Sequence, residues 1–346
     1  MKKRHFSPIL LLFLVFLLLQ SGVQTTFAAS DGALETAVQP GELLIPGGNA
    51  FGIKLFTKGV VVIGVTDVQT ASGLTAPAAD AGLEVGDVIV EIDGHEVNTA
   101  EETKALIGAC EGRSLSVVYE RGGERVSTVL TPQLDAAENE DRGGVWVRDS
   151  TAGIGTVTYY DPATGAFGAL GHGITDGDTM ALMPFGSGSI LPSTVKAVKK
   201  GSSGSAGELR GNFDLSGDLG PLCANTDCGI FGTLSQPKPG EAVQTAPASA
   251  VTTGAAEILS NVDGEQVQRF SIRIDRVDPD AKNGRNLLIT VTDEALLAKT
   301  GGIVQGMSGS PILQNGKLVG AVTHVLVNDP TMGYGVLIEN MLEMAK

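Results

Sequence analysis

Little in this 346-residue chain offers redox, metal or nucleic-acid chemistry. Only three cysteines occur, Cys110, Cys223 and Cys228, and none sits in a CxxC or paired Cys/His spacing that would hold zinc. Cys223 and Cys228 either pair as a small disulfide in an oxidising compartment or sit as two small side chains near a turn. Nothing points to a metal or an organic cofactor. Aromatics are 5% of the chain while glycine reaches 47 residues, a balance that favours short strands and tight turns over helical bundles. Positive charge is scarce as well. With 24 Lys and Arg against 39 Asp and Glu, the net charge is −15, which argues against nucleic acid or anionic lipid as the main partner.

A long apolar run occurs once, at residues 9–19, behind Lys2, Lys3 and Arg4 and ahead of the small-residue stretch Thr26-Phe27-Ala28-Ala29-Ser30. The run is shorter than the roughly 20 residues of a full span. Residues 1–29 are therefore read as a secretory signal or a retained membrane anchor. In either case the remainder lies outside the cytoplasm and touches a membrane only through this segment. Residues 30–48, polar and rich in Gly and Pro, read as a linker.

Residues 49–133 form a compact pattern. The β-branched run at 60–65 leads to an Ala-rich turn, a strand at 85–92, and a helix that begins after Thr99, an N-cap residue. Two alternating strands then flank the Arg121-Gly122-Gly123-Glu124 turn. Residues 134–142 are charged and aperiodic, a second linker. From 143 to 346, short β-branched runs broken by glycine predict an all-β core of sandwich or barrel type.

The strongest chemical signal is Gly306-Met307-Ser308-Gly309-Ser310-Pro311. A serine hydroxyl is a weak nucleophile until a base takes its proton and amides stabilise the oxyanion. Small neighbours let a substrate backbone approach Ser308, and a turn there aims the amides of Gly306 and Ser308 at one point. Ser310, before Pro311, is the rival nucleophile. Four histidines are available as the base. His5 falls in the leader, His95 in a turn, and His324 on the strand after the nucleophile turn. His172, between glycines upstream of the serine, has room for a substrate and titrates near neutrality. The third member should be a carboxylate that fixes the imidazole tautomer. Candidates are Asp293, Asp176, Asp178, Asp214 and Asp218; Asp293 also reads as a helix cap.

Three resemblances carry the reading further. Pro77-Ala78-Ala79-Asp80-Ala81-Gly82-Leu83-Glu84-Val85-Gly86-Asp87-Val88-Ile89, with the Asp93-Gly94 turn and the later helix, resembles a PDZ domain. That resemblance implies a peptide groove between the strand at 53–56 and the helix near Leu106, with Gly52 and Ile53 in the amide-donating loop. The Ser308 motif resembles the G-x-S-G-[GS]-P signature of chymotrypsin-like peptidases. Gly168-Ala169-Leu170-Gly171-His172, Val291-Thr292-Asp293, Gly320-Ala321-Val322-Thr323-His324 and Cys228-Gly229-Ile230-Phe231-Gly232 resemble the stage IV sporulation protein B family.

Together these imply a mainly β protein with a small α+β domain: a PDZ-like domain followed by a chymotrypsin-like β-barrel serine peptidase domain. The family resemblance implies a triad of His172, Asp293 and Ser308. It implies a sporulation signalling peptidase exported from the forespore into the intermembrane space. Such a peptidase cleaves itself and a membrane-bound regulator of an intramembrane protease complex. Met307 stands where trypsin-type enzymes carry the aspartate that receives a new N-terminal ammonium, so control is expected from the PDZ groove instead. The alternative is a non-catalytic secreted PDZ scaffold.

Overall fold

The computed structural model describes residues 41–214, 217–282 and 284–345. The expected leader at 1–29, with His5, lies outside the described residues. Where a linker was expected up to residue 48, the chain already forms β1 (Leu43–Pro46), and β2 (Ala50–Val65) follows. The first half of β2 alternates, burying Phe51, Ile53 and Leu55 while Lys54 and Phe56 face outward. Its second half buries Val60, Val61 and Val62 in succession, as a strand covered on both faces does.

That second half opens the PDZ-like module: α1 (Pro77–Asp80), β3 (Val88–Ile92), α2 (Ala100–Gly108), β4 (Leu115–Arg121) and β5 (Glu124–Leu130). Thr99 caps α2 as predicted. Its hydroxyl accepts from the Glu102 amide, and the Glu102 carboxylate accepts from the Thr99 amide, satisfying two orphan donors at once. Val60, Ile89, Ile92, Ile107, Val117 and Leu130 form the module's own core. The Gly86-Asp87 pair has a structural reason: buried Asp87 accepts both Arg121 Nε at 2.6 Å and Nη2 at 2.7 Å, pinning the turn before β3 to the end of β4.

The chain then returns through β6 (Val145–Tyr160), β7 (Ala166–Ala169), β8 (Phe185–Lys199), β9 (Gly220–Thr226) and β10 (Gly229–Thr233). β6 pairs with β7, β7 with β10, β10 with β9, β9 with β8, β8 with β2, and β2 with β6, which closes a ring. Phe51, Ile53, Val157, Phe167, Ile190 and Ile230 fill it.

A second closed barrel follows, of β11 (Gly254–Ser260), β12 (Gln268–Val277), β13 (Leu287–Val291), β14 (Pro311–Gln314), β15 (Lys317–Leu326) and β16 (Asp329–Leu337). Two short helices complete it, α3 (Glu294–Thr300) and α4 (Ile338–Met344). Ile258, Ile272, Ile289, Ile312 and Val322 fill this barrel. The β14–β15 hairpin turns on Asn315-Gly316 at φ of 51° and 74°, the left-handed pair that a two-residue turn between twisted strands requires.

The expected boundaries at residues 49 and 143 therefore do not separate the modules. The PDZ-like unit is inserted into the first barrel, not placed ahead of it. β2 runs out of the barrel into the module, and β6 runs back. Val145 pairs with Val65 inside the module and Thr156 with Ala50 inside the barrel. The peptide groove expected at residues 53–56 cannot exist for the same reason. Gly52 and Ile53 are hydrogen-bonded into a sheet on both edges, to β6 and to β8. Leu106 packs against the module's core and does not line an open groove.

Candidate active site

The turn of residues 306–311 hangs between the barrels, held by backbone contacts that only small residues permit. The Thr156 amide donates to the Ser308 carbonyl at 2.9 Å, and the Thr156 hydroxyl donates to the Gly306 carbonyl at 2.8 Å. The Gly309 amide donates to the Val322 carbonyl at 2.7 Å. Gly309 lies at φ 95°, and a Cβ there would fall 1.9 Å from the Thr156 carbonyl oxygen and 2.5 Å from the Leu170 nitrogen. Glycine at 309 is a requirement of this approach.

The loop after β7 is fitted to the same place. Leu170 and Gly171 both take left-handed conformations, φ 68° and 71°, and a Cβ on Gly171 would press at 3.0 Å on Thr323 and Val336. This turn delivers His172 to a cavity of about 1000 Å³ that is also lined by Gly306, Ser308, Thr323 and His324. The two sequence-predicted groups, one from each barrel, thus share one cleft.

Within it, His172 Nδ1 lies 2.8 Å from the Gly173 carbonyl oxygen. An Nδ1–H donating there leaves Nε2 as the proton acceptor, which is the tautomer a base needs. Burial holds the imidazole below the usual histidine range, a pull only partly offset by that carbonyl. The His324 ring packs 4.9 Å from the His172 ring, centroid to centroid. Its Nδ1 is buried without a partner, and burial, then His172 and Arg285, push it down to about 4. The cleft therefore holds two neutral imidazoles near neutral pH.

The Ser308 hydroxyl donates to the Thr323 carbonyl at 2.7 Å, a bond it must give up to pass its proton to a base. The amides of Gly306 and Ser308 donate to no described group, which leaves both available for an oxyanion. Ser310 is fully buried and bonded to the Ser260 hydroxyl at 3.1 Å, a packing role that sets it apart from Ser308. Met307 is fully buried in the second barrel's core.

Asp293 is not among the residues lining the cleft. One of its carboxylate oxygens accepts from the Leu296 amide at 2.9 Å and the other faces the Ser271 amide at 3.4 Å, so it serves as the N-cap of α3. Asp176 is buried against Arg148, and Asp178 pairs with the same guanidinium at 2.7 Å. Asp214 and Asp218 border a different cavity. The carboxylate that does border the cleft is Asp227, in the β9–β10 turn, a position whose hairpin gave no catalytic signal in the sequence. Next to it, Cys228 is a free thiol raised by burial, then by Asp227 and Glu343. Cys223 is free and exposed, so the small disulfide does not form. Among the described residues no cluster of His, Cys, Asp and Glu is arranged to hold a metal ion.

A family model described as SpoIVB peptidase S55 matches residues 139–342, more than half of the chain. The chain belongs to the SpoIVB S55 peptidase family. A PDZ-domain model matches residues 65–121 of the same chain.

This S55 peptidase is also similar over shorter stretches to other proteins. The putative zinc metalloprotease BH06270 of Bartonella henselae is 34% identical over 80 residues, 23% of this chain and 22% of that one. The zinc metalloprotease RasP of Shouchella clausii is 36% identical over 73 residues, 21% and 18% of the two chains. The chain thus spans about a fifth of the length of these curated relatives. Among solved structures, the Rv3671c protease of M. tuberculosis in its active form aligns with a TM-score of 0.32 and 14% identity, over 56% of this chain and 73% of that one. The PDZ domain of the SdrC-like protein of Listeria monocytogenes aligns with a TM-score of 0.22 and 24% identity, over 26% and 87%.

Proposed function

We propose that His172 and Ser308 carry out peptide-bond hydrolysis in the cleft between the barrels. The supporting observation is their placement in one cavity beside two amides that donate to no described group. Ser308 Oγ attacks the scissile carbonyl carbon as its proton passes to His172 Nε2. The Gly306 and Ser308 amides receive the oxyanion, and the imidazolium returns the proton to the leaving amine. Water, deprotonated by the same nitrogen, then releases the acyl group and restores Ser308. The Gly173 carbonyl takes the orienting role that the sequence assigns to a carboxylate. Asp227 is the carboxylate that borders the same cleft.

The family's biology extends this reading: a sporulation signal that the forespore exports into the intermembrane space. There the peptidase processes itself and cuts a membrane-bound regulator of an intramembrane protease complex. Among the described residues no helix is long and apolar enough to cross a membrane.

Ser308→Ala is expected to lower kcat/KM for a peptide by about a thousandfold or more while the fold is retained. Mass spectrometry of the purified pair should find self-generated fragments in the wild type alone. A serine-reactive probe that labels both proteins equally would sink the assignment of Ser308, and one that labels neither would leave a binding scaffold.

A further inference from the structure

β6 has one satisfied edge and one open edge. From Val145 to Thr156 it pairs with β2, and among the described residues no strand pairs with its other edge before Val157 meets Ala169 of β7. At Thr156 that second edge is taken by the nucleophile turn and the His172 loop, through the bonds to the Ser308 carbonyl and the Leu170 amide. An unpaired strand edge is a template for another extended chain. This edge leads directly to the catalytic serine.

Two cavities lie along it. At the barrel end, Thr151, Ala152, Gly153 and Ile154 wall the catalytic cleft. Nearer the PDZ-like module, Val145, Trp146 and Val147 face α2 across a second cavity of about 870 Å³, lined on the helix side by Thr103, Lys104 and Ile107. It takes the place of the groove expected at residues 53–56. Trp146 is 64% exposed there, and Met180, at the catalytic end, is 73% exposed. Six Asp and Glu side chains line the α2 groove against two cations, Lys104 and Arg142. That excess repels a terminal carboxylate and attracts basic side chains.

We propose that one extended substrate segment docks along the open edge of β6, its basic residues in the α2 groove and its scissile bond at Ser308. The inference rests on Ser308 being the nucleophile. From Val147, at the end of the groove, to Thr156, beside Ser308, is nine residues of strand, about 30 Å at roughly 3.3 Å per residue. A peptide added alongside has the same rise, so the basic anchor and the cut are separated by about nine residues. Arg148, the first residue past the groove, has its guanidinium already held by Asp176 and Asp178.

The test is a spacer series on the full chain. Peptides carry one cleavable sequence joined to a Lys/Arg anchor through about 3 to 16 Gly/Ser residues, roughly a third to twice the proposed separation. The expected result is no gain in kcat/KM below about six spacer residues and a gain of about tenfold or more near nine, falling for longer spacers. Replacing the anchor's Lys and Arg by Glu should abolish the gain, and amidating the peptide's C-terminus should not. The same series measured as affinity for Ser308→Ala should show the same spacer dependence. A gain that ignores spacer length, or one equally strong with a Glu anchor, overturns the proposal. Loss of cleavage for every peptide, with the spacer-dependent affinity intact, would instead refute the nucleophile assignment and leave the docking track standing.

Discussion

At the scale of single residues, the third position of the proposed catalytic constellation is where sequence and geometry part. Asp293 ends a strand and precedes a helix, and its carboxylate is engaged by the Leu296 amide of α3. Asparagine caps helices as well as aspartate does but carries no charge. Asp293→Asn is therefore expected to change stability by less than about 0.5 kcal/mol and kcat/KM by less than about threefold, where loss of a true triad carboxylate costs about ten-thousandfold. Peptide kinetics beside a urea melt separate the two.

The imidazole gives a second prediction. Burial lowers His172, so its neutral, proton-accepting form persists below the ordinary histidine value of about 6.5. The acidic limb of kcat/KM against pH should accordingly fall below that value; an acidic limb above it would mean that a carboxylate stabilises the imidazolium. Stability follows the same sign. His172 and His324 both bind protons more readily in the unfolded chain, so stability drops as pH falls from about 6.5 towards 4.

At the scale of elements, β2 and β6 are each shared by two modules. The sequence shows the second half of β2 as a β-branched run and residues 53–56 as a separate strand, because Gly59 interrupts the pattern where the strand passes from barrel to module. Elements whose partners are local were legible. The Thr99 cap, the Asn315-Gly316 hairpin and the alternation of β4 and β5 all depend on neighbours within a few residues. The ring closure of β2 with β6 and β8 joins residues about a hundred positions apart, and no local pattern encodes such pairing. The Ser308 motif was legible for the opposite reason: glycines at 306 and 309 are demanded by the approach of Leu209 to the first and of Thr156 and Leu170 to the second.

A deletion experiment follows from the shared strands. Removing residues 51–133 takes out a barrel strand and should yield unfolded protein. Replacing residues 58–149 by an Asn-Gly turn instead joins Thr57 to Ser150, next to the Phe56–Ser150 pair, and preserves the ring. That shorter protein should keep its near-UV circular dichroism and label with a serine probe. Loss of both signals would show that the barrel depends on the inserted module.

At the scale of the whole molecule, two barrels supply one group each to a cleft, and the PDZ-like module is built onto the first of them. The proposed hydrolysis therefore requires both barrels to be closed and in register. The sequence conveyed the class of fold. It did not convey the insertion, which is a matter of which strands meet.

The double crossing changes what a backbone cut can accomplish. A nick within residues 134–142 severs one covalent path, yet β2 still runs unbroken from module to barrel and stays laddered to β6. Such fragments should travel together on a sizing column at neutral pH and separate only in denaturant. Self-processing there would leave a two-chain enzyme rather than release a free PDZ domain.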